Sequence, residues 1–171
     1  MAILPIIKLG HPTLRKKAQK ISRIDVEIRT LAADMIDTMR LNEGVGLAGN
    51  QVNDLRRIFV IDLSLIDEKL APKAFINPEI LSKEGSQPYE EGCLSIPGVR
   101  SEVVRPEKIT ARYQTLAGET VEERMDGLTA RVFQHELDHL DGVLFIDHLP
   151  PLVRKFLEPK IRKIREANSI I

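Results

Sequence analysis

The segment Gln134–His139, with the sequence QHELDH, contains the residue types and the spacing of a metal-binding helix. On an α-helix, His135 and His139 lie about 40° apart on one face, so their imidazole nitrogens can converge on one cation. A glutamate beside the first histidine, Glu136, can reach a water molecule at that cation and accept its proton. The pattern predicts a metal site with Glu136 as the general base.

The rest of this helix places the two histidines on an apolar face. Leu128 and Val132 fall on the same side as Glu136, and the polar residues group on a different side: Arg131, Gln134, Asp138 and Asp141. An unpaired buried glutamate is energetically expensive, and a metal ion beside it supplies a reason for its position. Asp138 is expected to point away from the metal toward a structural partner, for which Arg105 and Arg131 are the candidates.

Two histidines are too few for a catalytic metal ion, which usually has three protein ligands and one open position. Cys93 is the best-placed third ligand, because Gly92 lets the backbone come close to another group and a Pro-Gly turn follows. A cation would hold its thiol deprotonated. His11 and His148 lack such a context and are interpreted as ordinary surface or core histidines.

A zinc protease is an alternative interpretation of the same helix. The metzincin motif continues to a glycine and a third histidine; Gly142 matches the glycine, but Phe145 occupies the third position and cannot bind a metal. Other zinc proteases use a downstream acid, and that role would fall to Glu158 or Glu166 on the basic C-terminal segment. A small protease with Cys93 or an acid as third ligand therefore stays open, and activity on internal peptide bonds would distinguish it.

Helix and strand signals alternate along the segments that must position these groups. Apolar residues recur at helical spacing over 25–41, and the glycine-rich stretch Gly44–Gly46 ends that helix. A second helix is predicted over 128–140 and ends at Gly142. Extended segments are predicted at 57–61, 74–78, 101–105, 108–115 and 119–125.

These signals predict one α+β domain over residues 1–171, with antiparallel or mixed strands around a central metal-binding helix and a C-terminal helix. Pro78 should limit its strand to a sheet edge or a strand end, and the last three extended segments should form a meander. From Leu152 onward, Pro159 should kink or split the final helix. An apolar stripe should dock that helix on the domain: Val153, Phe156, Leu157, Ile161 and Ile164.

Composition restricts the class of protein. The 171 residues are 43% apolar and 29% charged, with a formal net charge of zero, so nothing demands a nucleic acid or a membrane as partner. The single cysteine cannot form an intrachain disulfide. Met1–Gly10 lacks the layout of a signal peptide. A cytoplasmic location is expected.

Three segments together resemble the peptide deformylase family. That family carries GxGLAAxQ, EGCLS and QHExDH motifs, and this sequence has GVGLAGNQ at 44–51, EGCLS at 91–95 and QHELDH at 134–139, in the same order and with matching spacing. The likeness extends from about Ile3 to the C-terminal helix and is closest to the bacterial-type branch. One departure is Gly49, where the family usually has alanine; the missing methyl group is expected to loosen the segment that holds Gln51.

The resemblance implies a metal-dependent hydrolase that removes the formyl group from the N-terminal methionine of nascent proteins and releases formate. Cys93, His135 and His139 would hold one divalent metal ion, usually Fe²⁺ in the family, whereas Ni²⁺, Co²⁺ or Zn²⁺ can occupy a purified sample. Glu136 would accept a proton from water and deliver it to the leaving amine.

The resemblance also implies two donors for the oxyanion, the side chain of Gln51 and the backbone N–H of Leu94. The expected substrate is an N-formyl-methionyl peptide, which can pair as an added strand with exposed backbone. The candidate substrate-binding residues are Gly44, Val45, Gly46, Tyr89, Leu128 and Val132. A non-catalytic metal-binding or ribosome-associated module is the remaining alternative, and it would need neither Glu136 nor Gln51.

The C-terminal segment has an excess of positive charge. Residues 152–171 contain six basic residues against Glu158 and Glu166. A solvated helix face explains such a run, but the substrate of a deformylase emerges from the ribosome, whose surface is rich in phosphate. The segment therefore predicts a contact that holds the enzyme near nascent chains.

Overall fold

Seven β-strands and three α-helices make up the part of the chain that the computed structural model describes, residues 2–169. The helices are α1 (Val26–Leu41), α2 (Gly127–Leu140) and α3 (Pro151–Ala167). The strands are β1 (Gly46–Ala48), β2 (Ile58–Ile61), β3 (Lys73–Glu84), β4 (Gln87–Cys93), β5 (Ile96–Arg105), β6 (Lys108–Gln114) and β7 (Thr120–Met125). The architecture confirms the predicted α+β class.

Two antiparallel sheets form the framework. One has five strands in the order β1-β2-β3-β6-β7, and the other is the β4-β5 hairpin. Helix α2 packs on the five-stranded sheet through Val132 and Phe133, which belong to an apolar cluster with Phe59 and Phe75. The other side of α2 faces the hairpin, because the Arg131 guanidinium donates to the carbonyl of Val103 at 2.8 Å. The helix that carries the histidines therefore lies between the two sheets.

The two flanking helices cover separate parts of the core. The Asp25 side chain caps the start of α1 by accepting a hydrogen bond from the backbone N–H of Ile28. Helix α1 then buries Met35 and Met39 against β1 and β2, as its apolar spacing predicts. Helix α3 packs on β5 with Ile161 at its centre. Among residues 2–169, none of these helices has the length and apolar character needed to span a bilayer.

Two strand predictions were wrong. β3 continues through Pro78 in the middle of a sheet, because a bulge between Ile76 and Glu79 takes the proline out of the hydrogen-bond ladder, and Asn77 there has a φ of 48°. The expected three-strand meander is only a β6–β7 hairpin, since β5 pairs with β4 instead. Alternation alone predicts a strand but does not identify its partner.

The C-terminal helix agrees with the prediction only in part. Of the kink or split expected at Pro159, the split does not occur, because α3 is one helix from Pro151 to Ala167. Pro159 and Lys155 are both exposed, so water can satisfy the Lys155 carbonyl that the proline cannot bond. Phe156 is 83% exposed and does not belong to the docking stripe, and Leu152 beside it is 80% exposed. Val153, Leu157, Ile161 and Ile164 do pack on the domain.

Candidate active site

The side chains of Cys93, His135 and His139 come together although they come from two different elements. Their ligand atoms all lie within 4.8 Å of one another. The Cys93 sulfur is 3.4 Å from His139 Nε2, and the two imidazole rings lie 5.1 Å apart. Cys93 ends β4 at a tight turn, where Cys93 pairs with Ile96. The turn directs the thiol toward α2.

A buried carboxylate orients the first imidazole. Glu91 Oε1 lies 2.8 Å from His135 Nδ1, which leaves Nε2 free to face Cys93 and His139. The same carboxylate accepts hydrogen bonds from Arg105 at 2.6 and 3.0 Å and from Arg131 at 2.7 Å. Burial opposes ionisation of Glu91, but the bonds from His135 and Arg105 hold its pKa far below its usual range. Glu91 is therefore an anion that fixes the orientation of the His135 ring.

Glu136 lies beside this cluster, with one oxygen free of protein partners. Its Oε2 is 4.0 Å from His135 Nε2, and among residues 2–169 its Oε1 has no hydrogen-bond partner. Burial raises the pKa of Glu136 to about 7, although the neighbouring His135 opposes the shift. A carboxyl group with this pKa can both accept and release a proton near neutral pH.

The pKa shifts of the two histidines indicate that the cluster can hold a cation. Burial and the nearby His135 lower the pKa of His139 well below its ordinary value, so its lone pair is available. Burial also opposes charge on His135, but its bonds to Cys93 and Glu91 outweigh this effect and raise its pKa to about 10. The anionic surroundings that favour a positive charge on His135 would also favour a bound cation. One thiolate and two imidazoles suit a divalent transition metal, so the residues present fit such an ion.

Gln51 lies next to the cluster and is almost fully buried. Its Nε2 donates to Ser95 Oγ at 3.1 Å and contacts Cys93 Sγ at 3.4 Å. Its Oε1 accepts from the backbone N–H of Ala48 at 2.9 Å, which fixes the amide orientation. Leu94 follows Cys93 in the same turn. Gln51 and Leu94 both line a cavity beside the cluster.

A cavity of about 580 Å³ opens onto these groups. All six candidate substrate-binding residues line it: Gly44, Val45, Gly46, Tyr89, Leu128 and Val132. Gly46 is closely packed, because a Cβ there would lie 2.6 Å from Glu136 Oε2 and 2.9 Å from Val132 Cγ1. β1, which Gly46 begins, is an outer strand of its sheet. Its backbone can accept a further strand.

Three other expectations have clear outcomes. Asp138 lies away from the cluster and accepts from Arg105 at 2.8 Å, whereas Arg131 bonds Glu91 instead. His148, which was expected to lack a functional context, has a polar partner: its Nε2 lies 2.8 Å from Asp138 Oδ2. His11 caps a short 3-10 helix, where its Nδ1 accepts from the backbone N–H of Thr13.

Gly49 does not loosen the Gln51 segment as expected. A Cβ at this position would lie 2.7 Å from the carbonyl oxygen of Asp54 and 2.9 Å from that of Arg56. The backbone N–H of Asp54 also donates to the Gly49 carbonyl at 2.9 Å. The space of the missing methyl group is filled by neighbouring backbone.

Sequence reasoning missed several residues of the site. Glu91 was visible only as part of a motif, and its bond to His135 depends on β4, which was not predicted. The adjacent pair Glu90 and Glu91 does carry a signal, because neighbouring strand residues face opposite sides and one acid must face inward. Ile66 and Arg100 also line the cavity. No motif contains them.

A cysteine and two histidines around one point, with a partly unpaired buried glutamate in a substrate-sized cavity, are the features of a metal-dependent hydrolase. The family model described as Polypeptide deformylase matches residues 3–155. Peptide deformylase 2 of Xanthomonas axonopodis pv. citri is 47% identical over 169 residues, which cover 97% of this chain and 98% of that protein. Peptide deformylase of Phenylobacterium zucineum is 45% identical over 168 residues, 98% and 99% of the two chains.

Solved structures agree with the sequence relatives. A peptide deformylase from Legionella pneumophila has a TM-score of 0.88 and 41% identity, covering 97% of each chain. A peptide deformylase from Synechococcus elongatus, in complex with actinonin, has a TM-score of 0.86 and 38% identity, covering 98% of this chain and 89% of that one. The chain belongs to the peptide deformylase family. It is a hydrolase that removes the N-formyl group from nascent peptides.

Proposed function

We propose that Cys93, His135 and His139 hold the metal ion of this deformylase and that the ion is Fe²⁺, with Ni²⁺, Co²⁺ or Zn²⁺ as substitutes. The convergence of their ligand atoms within 4.8 Å carries the proposal. The Glu91 bond to His135 supports it, because metal-binding histidines commonly donate their second nitrogen to a carboxylate. When bound, the ion supplies Lewis-acid activation of water and of the formyl oxygen.

The chain's own residues supply the proton transfer and the charge stabilisation. Glu136 accepts the proton of the attacking water at its carboxylate and later delivers it to the departing methionine amine. The Gln51 Nε2 and the backbone N–H of Leu94 donate to the oxyanion that develops on the formyl group. The fixed amide of Gln51 supports its role, since no rotation is needed when charge develops.

The cavity binds the formyl-methionyl end of the peptide. Leu128 and Val132 provide an apolar wall for the methionine side chain, and Tyr89 lines the same cavity. The peptide backbone pairs with the outer strand that begins at Gly46, next to Gly44 and Val45. Gly46 is required there, because any side chain would collide with Glu136.

The Glu136→Gln variant tests the general-base role of Glu136. The variant is expected to bind one metal ion per chain, measured by elemental analysis, but to release formate from a formyl-Met peptide at least about 100-fold more slowly. Glu102→Gln is the matched control, since Glu102 is exposed and does not belong to the cavity lining. Normal activity of the Glu136→Gln variant would contradict the assignment of Glu136 as the general base.

The identity of the ion has its own test. A ferrous ion beside a thiolate can be oxidised, and so can the thiolate. We expect protein prepared without oxygen to contain iron and to lose activity in air, whereas protein exchanged into Ni²⁺ loses activity more slowly. Equal half-lives of the two forms would contradict the assignment of iron.

We further propose that residues 1–171 act as one catalytic domain in the cytoplasm and that α3 contacts the ribosome. Two of its basic residues are already paired within the chain, because Arg154 and Arg165 both contact Glu158. The exposed bases are Lys155, Lys160, Arg162 and Lys163. Replacing Lys160, Arg162 and Lys163 by glutamine should weaken co-sedimentation with ribosomes at low salt and leave hydrolysis of a short peptide unchanged. Unaltered co-sedimentation would limit α3 to a packing role.

A further inference from the structure

A short 3-10 helix, Phe145–His148, follows α2 and contacts it through two side chains. The Phe145 ring stacks on the His135 ring, with 6.1 Å between the centroids and 25° between the planes. His148 Nε2 lies 2.8 Å from Asp138 Oδ2. The 3-10 helix therefore touches one histidine of the cluster directly and also touches Asp138, the residue beside the other histidine.

The contact between His148 and Asp138 is a hydrogen bond with a defined direction. A carboxylate oxygen can only accept, so His148 Nε2 carries the hydrogen and donates it. The same oxygen of Asp138 accepts from Arg105 at 2.8 Å. The two donors differ in exposure, because the side chain of His148 is 38% exposed and that of Arg105 only 5%. Asp138 therefore joins a surface histidine to a buried arginine.

Arg105 connects this pair with the cluster. Its third nitrogen binds Asp138, while its Nε and another terminal nitrogen donate to the two oxygens of Glu91 at 2.6 and 3.0 Å. Glu91 Oε1 in turn lies 2.8 Å from His135 Nδ1. A guanidinium is planar and its donors have a fixed geometry, so its placement at Glu91 depends on where Asp138 holds its other side. Hydrogen bonds thus run without a break from His148 to His135.

We propose that His148 is a positioning residue of the metal site. Its hydrogen bond fixes the Asp138 carboxylate, which fixes Arg105 and, through Glu91, the orientation of the His135 ring. His148 does not line the cavity and lies outside the three motifs. This inference rests on the proposed metal site. It assigns to a partly exposed histidine an effect on metal affinity that is transmitted through three other side chains.

The same 3-10 helix has a second attachment, which provides a control. Asp147 accepts from Arg15 at 2.6 and 3.1 Å and from the backbone N–H of Leu144 at 2.9 Å. These bonds hold the 3-10 helix to the N-terminal segment and do not involve Asp138. Asp147→Asn therefore weakens the attachment of the 3-10 helix without removing the His148 donor.

Competition between the Co²⁺-loaded enzyme and a chelator measures the effect. Loss of a group bonded directly to a metal-binding histidine typically lowers metal affinity about 10- to 100-fold, and His148 acts at a greater distance. In His148→Phe, which keeps a ring but loses the donor, we expect the Co²⁺ affinity to fall about three- to tenfold. His148→Gln should restore it, because the glutamine Nε2 is as many bonds from Cβ as the histidine Nε2. Asp147→Asn should keep the wild-type affinity even if its Tm falls.

A double-mutant cycle tests whether the effect passes through Asp138. In an Asp138→Ala background His148→Phe should cause no further loss of affinity, because the acceptor is absent. The positioning role is refuted if His148→Phe binds Co²⁺ as tightly as the wild type, if its loss persists in Asp138→Ala, or if His148→Gln or Asp147→Asn loses as much affinity as His148→Phe. Failure of the wild type to bind Co²⁺ would instead overturn the proposed metal site.

Discussion

Replacing Glu91 by glutamine should affect both the stability of the fold and the affinity for metal. The Glu91 side chain is only 4% exposed and is the shared acceptor of Arg105 and Arg131, which are 5% and 7% exposed. Removal of one partner from a buried ion pair costs about 3–5 kcal/mol. We expect about 3 kcal/mol for Glu91→Gln, because the amide oxygen still accepts one of the hydrogen bonds.

Two measurements on one preparation separate these effects. Urea unfolding of the chelator-treated protein gives the free energy of unfolding, and about 3 kcal/mol corresponds to a fall in Tm of about 6–12 °C for a chain of this size. Competition with a chelator gives the metal affinity, which should fall about 10- to 100-fold because His135 loses its orienting carboxylate.

The neighbouring acid provides the control for this experiment. Glu90→Gln changes the same charge one residue earlier, where the side chain is 66% exposed. Its effect on the free energy of unfolding should stay within about 0.5 kcal/mol. If the two variants are equally stable and bind metal equally well, the buried network does not support the site and the reasoning is wrong.

Three further changes have defined outcomes. Gly46→Ala places a Cβ 2.6 Å from Glu136 Oε2, so kcat/KM on a formyl-Met peptide should fall at least about tenfold with the metal content unchanged. Gly49→Ala places a Cβ 2.7 Å from a backbone carbonyl oxygen and should lower the free energy of unfolding by about 1–3 kcal/mol in urea titration. Burial opposes ionisation of Asp62, but hydrogen bonds to its carboxylate prevail and lower its pKa, so this residue contributes stability above the pKa of its unfolded form, near 4, and loses it as the pH falls. Asp62→Asn should therefore reduce the stability difference between pH 6 and pH 3, whereas an unchanged difference would contradict the pKa shift.

The chemistry of the site was more predictable than the path of the chain. The spacing of His135 and His139 depends only on helix geometry, which is local. The glycine and the turn around Cys93 indicated the third ligand, and the resemblance then supplied Gln51. The partner of β5 is a long-range property, and period-two alternation contains no information about it. Pro78 shows a similar limit, since a bulge made by its neighbours decides whether a proline can lie inside a sheet.

Contacts between distant segments were the hardest part to anticipate. Helix periodicity placed Asp138 correctly toward Arg105, but it gave no sign that Arg131 would be drawn into the buried Glu91 cluster. The apolar stripe of α3 was only partly correct, because Phe156 faces solvent despite its spacing. Periodicity identifies candidate faces, and packing against the rest of the chain decides which of them are buried.

The order of strands in the large sheet has a consequence for synthesis. β3 lies between β2 and β6, so its second neighbour leaves the ribosome only after the β4-β5 hairpin. A chain that ends before Lys108 presents the unpaired edge of β3, a strand of 12 residues. Exposed long edges of this kind pair readily with other chains. An enzyme that acts on nascent chains is thus itself most prone to aggregate during a defined interval of its own translation.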